Sequence, residues 1–182
     1  MDFEPKTILL KNGRTAIFRA PRVEDASEML AFLKTECGET DFLLRSAEEC
    51  EQMTAEMEAA WLKRALEDPD TLLIICEVDG EIAGNCEIVF NHRAKTRHRA
   101  TIGIGLQKKY WNLGIGTAMF REMEAEARRR PGIIHMELEF IEGNSRARAL
   151  YEKMGFRVVG IHPDNIMLPG GLVNEYFMQK KL

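Results

Sequence analysis

The sequence predicts an α/β chain: one mixed sheet flanked by about four helices. Three observations predict it. Short apolar runs alternate with period two and end at Gly, Pro or Asn-Gly; longer runs repeat apolar residues every three or four positions; and the two kinds of run alternate along the chain. At 182 residues with 45% hydrophobic content, the chain suits one domain, 1–182, with a full core.

The elements follow in order. Ile8-Leu9-Leu10 and Thr15 to Arg19 flank Asn12-Gly13, a strong hairpin signal. Pro21 ends the second strand, and Ala26, Met29, Leu30 and Leu33 give helical spacing over Glu24 to Glu36. Ser46-Ala47-Glu48-Glu49 is a capping box for a second helix carrying Met53, Met57, Ala60, Trp61 and Leu66, which Asp68-Pro69-Asp70 stops. Thr71 to Val78 and Glu81 to Phe90 form a hairpin about Asp79-Gly80, and Arg99 to Leu106 is the next strand. Gly114 opens a helix to about Arg130, with Met119, Phe120, Met123 and Ala127 on its buried face; Pro131-Gly132 breaks it. Ile133 to Ile141 alternates as a strand. Asn144 to about Met154 is a short helix closed by Gly155, and strands Phe156 to Ile161 and Leu172 to Lys181 flank a turn at Pro169-Gly170-Gly171.

Composition excludes several functions. A net charge of −4 argues against broad nucleic-acid binding. The basic stretch Asn91 to Arg99 contains no aromatic and reads as a solvated hairpin loop. No apolar run approaches the roughly 20 residues that span a bilayer, and Met1 to Lys6 lacks a signal-peptide layout, so a cytoplasmic location is expected. Cys37, Cys50, Cys76 and Cys86 lack C-x-x-C spacing and read as buried, reduced thiols. His92 and His98 have no partners at metal-ligand spacing, so no metal is assigned.

The stretch that organises the chain runs from Ile102 to Thr117. A strand ends in a turn, and a glycine pair opens a helix, leaving outward N–H groups at the positive end of the helix dipole, a site for phosphate. It is not a P-loop, because no lysine follows Gly116. It is not a dinucleotide fingerprint, because the sixth position is Lys108 counted from Gly103 and Met119 counted from Gly114. Those failures set aside a nucleotide-dependent enzyme.

Trp111-Asn112-Leu113-Gly114-Ile115-Gly116 resembles the coenzyme A loop of the GCN5-related N-acetyltransferases (GNAT), whose signature is Q/R-x-x-G-x-G/A. Trp111 departs from the Gln/Arg position, in a Tyr-Trp pair similar to the branch that acetylates protein N-termini and small amines. Asn144 to Phe156 matches the family's N-x-x-A-x-x-x-Y-x-x-x-G-F pattern, with Asn144, Ala147 and Tyr151 at its positions. The resemblance covers about Thr71 to Phe177; the first 70 residues match only in layout. It implies a mostly antiparallel sheet with a splayed pair of parallel strands, acetyl-CoA as cofactor, a small-molecule or peptide amine as acceptor and a possible homodimer.

It also implies residue roles. Asn112, Leu113, Gly114, Ile115, Gly116 and Thr117, with Trp111, would hold the pyrophosphate. Ile104, Gly105 and Leu106 would pair with the pantetheine arm, with the N–H of Leu106 or a neighbour as oxyanion donor. Asn144 would bond cofactor or strand backbone or else cap its helix, Ala147 would pack beneath, and Lys153 would reach a phosphate or remain solvated. Tyr151, with an ordinary pKa of about 10, would protonate the leaving thiolate. Many relatives carry Glu near Thr101-Ile102-Gly103, and this chain has none. The nearest carboxylates are Glu87, taken as the catalytic candidate, and Glu139, although the pattern of each reads more simply as an ordinary exposed strand residue. Phe42, Arg45 and Trp61 are substrate-side candidates. Two readings remain: an N-acetyltransferase working by direct attack in a ternary complex, and a non-catalytic acyl-CoA sensor on the same fold, which the missing strand glutamate favours.

Overall fold

A computed structural model describes residues 3–182; Met1 and Asp2, where the leader reading begins, lie outside the described residues. The Asn12-Gly13 hairpin forms as expected: β1 (Lys6–Leu9) pairs with β2 (Thr15–Arg19). A short 3-10 turn leads into α1 (Ala26–Glu39). Two helices follow where one was expected. Ser46 caps α2 (Ala47–Glu51) with the expected box, but Thr54 caps a separate α3 (Ala55–Glu67). Thr54, accepting from the Met57 N–H, provides a second start signal that competes with continuation of the first helix.

β3 (Thr71–Val78), β4 (Glu81–Phe90) and β5 (Arg99–Leu106) form an antiparallel meander. Gly114 caps α4 (Ile115–Arg129), then come β6 (His135–Ile141) and α5 (Ser145–Lys153). β7 (Arg157–Leu168) is longer than the expected 156–161. It continues past Pro163 because an irregularity between His162 and Ile166 lets it re-pair with β8 (Gly171–Lys181). The sheet order is β1-β2-β3-β4-β5-β6-β8-β7, and the described residues form five α-helices where about four were expected.

The parallel pair positions the site. β5 meets β6 only at Arg99–Thr101 against His135–Glu137. From Ile102 the strands diverge, leaving one backbone edge of β5 without a sheet partner. One face of the sheet packs with α4 and α5 through Ile88, Ile102, Met119, Phe120 and Phe140. The other packs with α1 and α3 through Met29, Phe32, Leu62, Leu73 and Ile75. Met57 and Trp61, expected on a helix's packed side, are instead partly open.

The cysteine expectation is corrected in half. Cys76 and Cys86 are free and buried, and burial pushes the Cys76 thiol up to about 12. Cys37 on α1 and Cys50 on α2 are joined in a disulfide, with Cα atoms 6.8 Å apart. Helix packing brings them together, which their spacing alone did not reveal. Among the described residues no helix is long and apolar enough to cross a membrane.

Candidate active site

The arch after β5 is bent by two left-handed residues, Asn112 (φ 64°) and Gly114 (φ 97°). The first α4 hydrogen bond runs from Ala118 N–H to Gly114 O (3.1 Å), so the N–H groups of Ile115, Gly116 and Thr117 have no helical acceptor. They are donors for an anion, reinforced by the helix dipole. The Ile115 side chain is fully buried, so that residue offers only its backbone. Gly116 serves packing as well: a Cβ there would lie 3.0 Å from Leu150 Cδ2, so its bareness lets α4 and α5 approach.

Trp111 has a defined task in place of Gln or Arg. Its indole N–H donates to Leu106 O (2.7 Å), tying the arch to the end of β5. The Arg146 guanidinium lies 4.2 Å from the Trp111 ring centre and donates to Asn112 Oδ1 (3.1 Å). Lys11 N–H donates to Leu113 O (3.1 Å) and its side chain approaches Gly114. Sequence reasoning missed both cations. Arg146 lies inside a recognised motif but at one of its free positions, and Lys11 is a hundred residues away. Lys153 is exposed, and no ion pair to it is formed among the described residues.

Asn144 acts as a helix cap here, with its Oδ1 accepting from Ala147 N–H (3.2 Å). Tyr151 is buried against Phe120 and Phe140, at ring distances of 5.6 and 5.9 Å. Burial raises it to about 12, so the phenol holds its proton at neutral pH.

On the opposite side of β5 a cavity of about 600 Å³ lies between α1, α3 and the sheet. Arg45 and Trp61 line it as expected; Phe42 does not, its ring instead covering Gly143 at the β6–α5 turn. Three carboxylates line it: Glu36, Glu58 and Glu87. Glu87 is paired across the sheet with Gly103, where a Cβ would lie 3.2 Å from Glu87 Oε1. Glu87 on β4 thus sets a carboxylate beside β5, in space that the glycine leaves open. Burial raises Glu87 above the usual carboxylate range. Glu139 is exposed on β6, outside this cavity. Glu58 is 2% exposed, its Oε1 has no hydrogen-bond partner, and burial raises it against the counter-pull of Arg45.

Glu36 was not singled out from the sequence. It lies at the end of α1, buried, and accepts from Leu106 N–H at 2.6 Å. One turn on, Glu39 accepts from Lys108 N–H (2.6 Å). The expected oxyanion donor therefore carries an internal carboxylate. Burial raises Glu36 to about 7, opposed by the Leu106 bond and assisted by the nearby Glu39 charge. Because its folded value lies above the unfolded one, the stability it contributes is fully present below about pH 4.5 and lost as pH rises through 7. The total is about 3 kcal/mol. Urea unfolding should show wild type losing about 3 kcal/mol more than Glu36→Gln between about pH 4.5 and 7.5. Equal losses would show that burial does not perturb this group.

The model of the Acetyltransferase (GNAT) family matches residues 39–156. The chain belongs to the GNAT family. It is therefore an acetyltransferase, with acetyl-CoA as donor. A relative, L-amino acid N-acetyltransferase AaaT of Escherichia coli (strain K12), is 26% identical over 120 residues, covering 66% of this chain and 74% of AaaT. A GNAT-family acetyltransferase structure from Streptococcus pneumoniae superposes with TM-score 0.83 at 26% identity, covering 92% of this chain and 99% of that one. A ribosomal-protein-alanine N-acetyltransferase from Brucella melitensis superposes with TM-score 0.77 at 22% identity, covering 91% and 99%. The last shares the fold. AaaT and the Brucella protein are named for different acceptors, so the GNAT scaffold alone does not select one.

The residues present fit the coenzyme. The arch offers three free N–H donors, and β5 offers a backbone edge with no sheet partner. Gln107 N–H bonds Ala83 O on β4, so strand alternation turns the N–H groups of Leu106 and Ile104 towards the gap.

Proposed function

We propose that this protein moves an acetyl group from acetyl-CoA to a primary amine of a small molecule or peptide, by direct attack in a ternary complex. The observation that carries the reading is the junction at β5: a diphosphate arch and open strand edge meet a carboxylate-lined cavity there. Asn112 to Thr117 hold the pyrophosphate, with Trp111 and Arg146 bracing the arch. Gly105 and Ile104 accept the pantetheine arm, and Tyr151 protonates the leaving thiolate. Glu87 attracts the acceptor's ammonium. Arg45 and Arg64 line the cavity beside the carboxylates, so it presents both signs of charge, which suits a zwitterion such as the L-amino acids named for AaaT.

Membership of the acetyltransferase family sets aside the sensor expected as an alternative. Two measurements test the amine reading. Acetyl-CoA should raise the melting temperature, and a panel of L-amino acids, polyamines and alanyl peptides should release free thiol with at least one amine. No thermal shift would refute the reading; a shift with no thiol from any amine would refute a primary amine as acceptor. Val159, Ile161, Met167 and Leu172 are exposed on the last hairpin and offer a surface for a homodimer; sedimentation as a monomer would remove that reading.

A further inference from the structure

The Leu106 N–H, expected with its neighbours as the donor to the acetyl oxygen, is already held by the Glu36 carboxylate. We propose that Glu36 is the general base of this enzyme: it cedes the Leu106 N–H to the thioester oxygen and takes a proton from the acceptor's ammonium.

This inference rests on the acetyltransferase reading above. Position is its first support. An oxygen 2.6 Å from Leu106 N occupies the place the thioester oxygen must take, so on leaving it Glu36 is one hydrogen-bond length from the reacting carbonyl. Glu87 is paired with Gly103, three residues earlier on β5, about 10 Å along the strand. It is placed to attract the ammonium at the cavity floor but not to reach the reacting nitrogen. Space is the second support. A Cβ on Gly105 would lie 2.5 Å from Glu36 Oε2 and 2.9 Å from Asn85 Oδ1, so the carboxylate fits only because residue 105 is glycine. Connection is the third: Glu36 lines the same cavity that receives the amine.

The charged groups around it are compatible with that role. Glu39 follows on its own helix, and its charge favours a protonated neighbour. Glu87 faces the cavity from β4, Glu58 and Arg64 from α3, and Arg45 from the loop after α1. The excess of carboxylates attracts an ammonium and keeps the basicity of Glu36 near neutrality.

The step balances. The ammonium loses one proton to Glu36, and the neutral amine adds to the thioester carbon. The C–N bond forms, the carbonyl electrons move to oxygen, and Leu106 N–H holds the oxyanion. On collapse the C–S bond breaks, the sulfur takes a proton from Tyr151, and the nitrogen's second proton returns that phenol to its neutral form through solvent. Glu36 then releases its proton and re-seats on Leu106 N–H.

Removing Glu36 from its N–H partner raises its proton affinity, so acetyl-CoA binding should draw a proton from buffer near pH 7, whereas CoA, which has no acyl oxygen, should draw less. Calorimetric titration of the full chain with acetyl-CoA and with CoA, in two buffers of different ionisation heat, reads this directly. The expected result is acetyl-specific proton uptake in wild type that disappears in Glu36→Gln, whose amide oxygen still accepts from Leu106. CoA affinity retained by the variant confirms that it is folded. With L-alanine amide and the best amine of the panel as probes, kcat/KM at pH 7 should fall about 10²- to 10⁴-fold, and the alkaline rise near neutrality should vanish. Equal uptake with both ligands, uptake that persists in Glu36→Gln, or loss of the pH limb in Glu87→Gln instead would overturn the assignment. Wild type that binds no acetyl-CoA would sink the broader reading itself, a separate result.

Discussion

Tyr151→Phe should lower kcat by about 10²- to 10⁴-fold while leaving acetyl-CoA affinity within a few-fold of wild type. The ring is held by Phe120 and Phe140, which the substitution does not disturb, so packing survives. What is lost is one O–H. Burial raises the phenol to about 12, above an ordinary thiol at about 8.5, so complete transfer to a free thiolate runs uphill. The O–H acts by donating a hydrogen bond to the sulfur as negative charge builds on it, with the proton moving in concert with C–S cleavage and the phenol re-protonated from the nitrogen. The change removes an interaction made only as the thiol departs, so kcat and kcat/KM should fall together. Steady-state kinetics with thiol detection, paired with calorimetric titration of the coenzyme, tests it. Unchanged turnover would assign the proton to solvent; a fall in affinity alone would make Tyr151 a packing residue.

Gly114→Val should weaken acetyl-CoA binding about 10- to 100-fold with little change in melting temperature. Gly114 sits at φ 97° at the N-cap of α4, a conformation that a β-branched residue adopts only with strain of about 1–3 kcal/mol. The arch lies at the surface and will relax rather than hold that strain. Relaxation disperses the N–H groups of Ile115, Gly116 and Thr117, whose shared aim makes the anion site. The helix below is anchored by Met119, Phe120 and Met123, all buried, so the fold tolerates the change. Titration with CoA should show the same loss as acetyl-CoA, since both carry the diphosphate. Full affinity in the variant would show that the arch is not the diphosphate site.

These expectations rest on features of unequal visibility. The hairpins at Asn12-Gly13 and Asp79-Gly80, the buried stripe of α4 and the alternation of β6 were all readable, because turn chemistry and periodicity are local. The break between α2 and α3 was not, because a second cap at Thr54 competes with a continuous apolar spacing. β7 ran on past its expected end because pairing with β8 outweighs the weak local signal at His162 to Ile166. In the site, the arch was legible from its glycines, while its bracing by Arg146 and Lys11 was not, since neither contact has a fixed spacing.

The sequence by itself determined the α/β class, the two motifs and hence the family chemistry, because backbone shape at glycines and helix starts is written in neighbouring residues. The tertiary structure alone decided which carboxylates gather beside β5. Glu36 and Leu106 are seventy positions apart, Cys37 and Cys50 belong to different helices, and Glu87 fills a space left by Gly103 on another strand. A carboxylate's proton affinity depends on the water removed from it and the dipoles placed against it, and both are properties of the packed molecule.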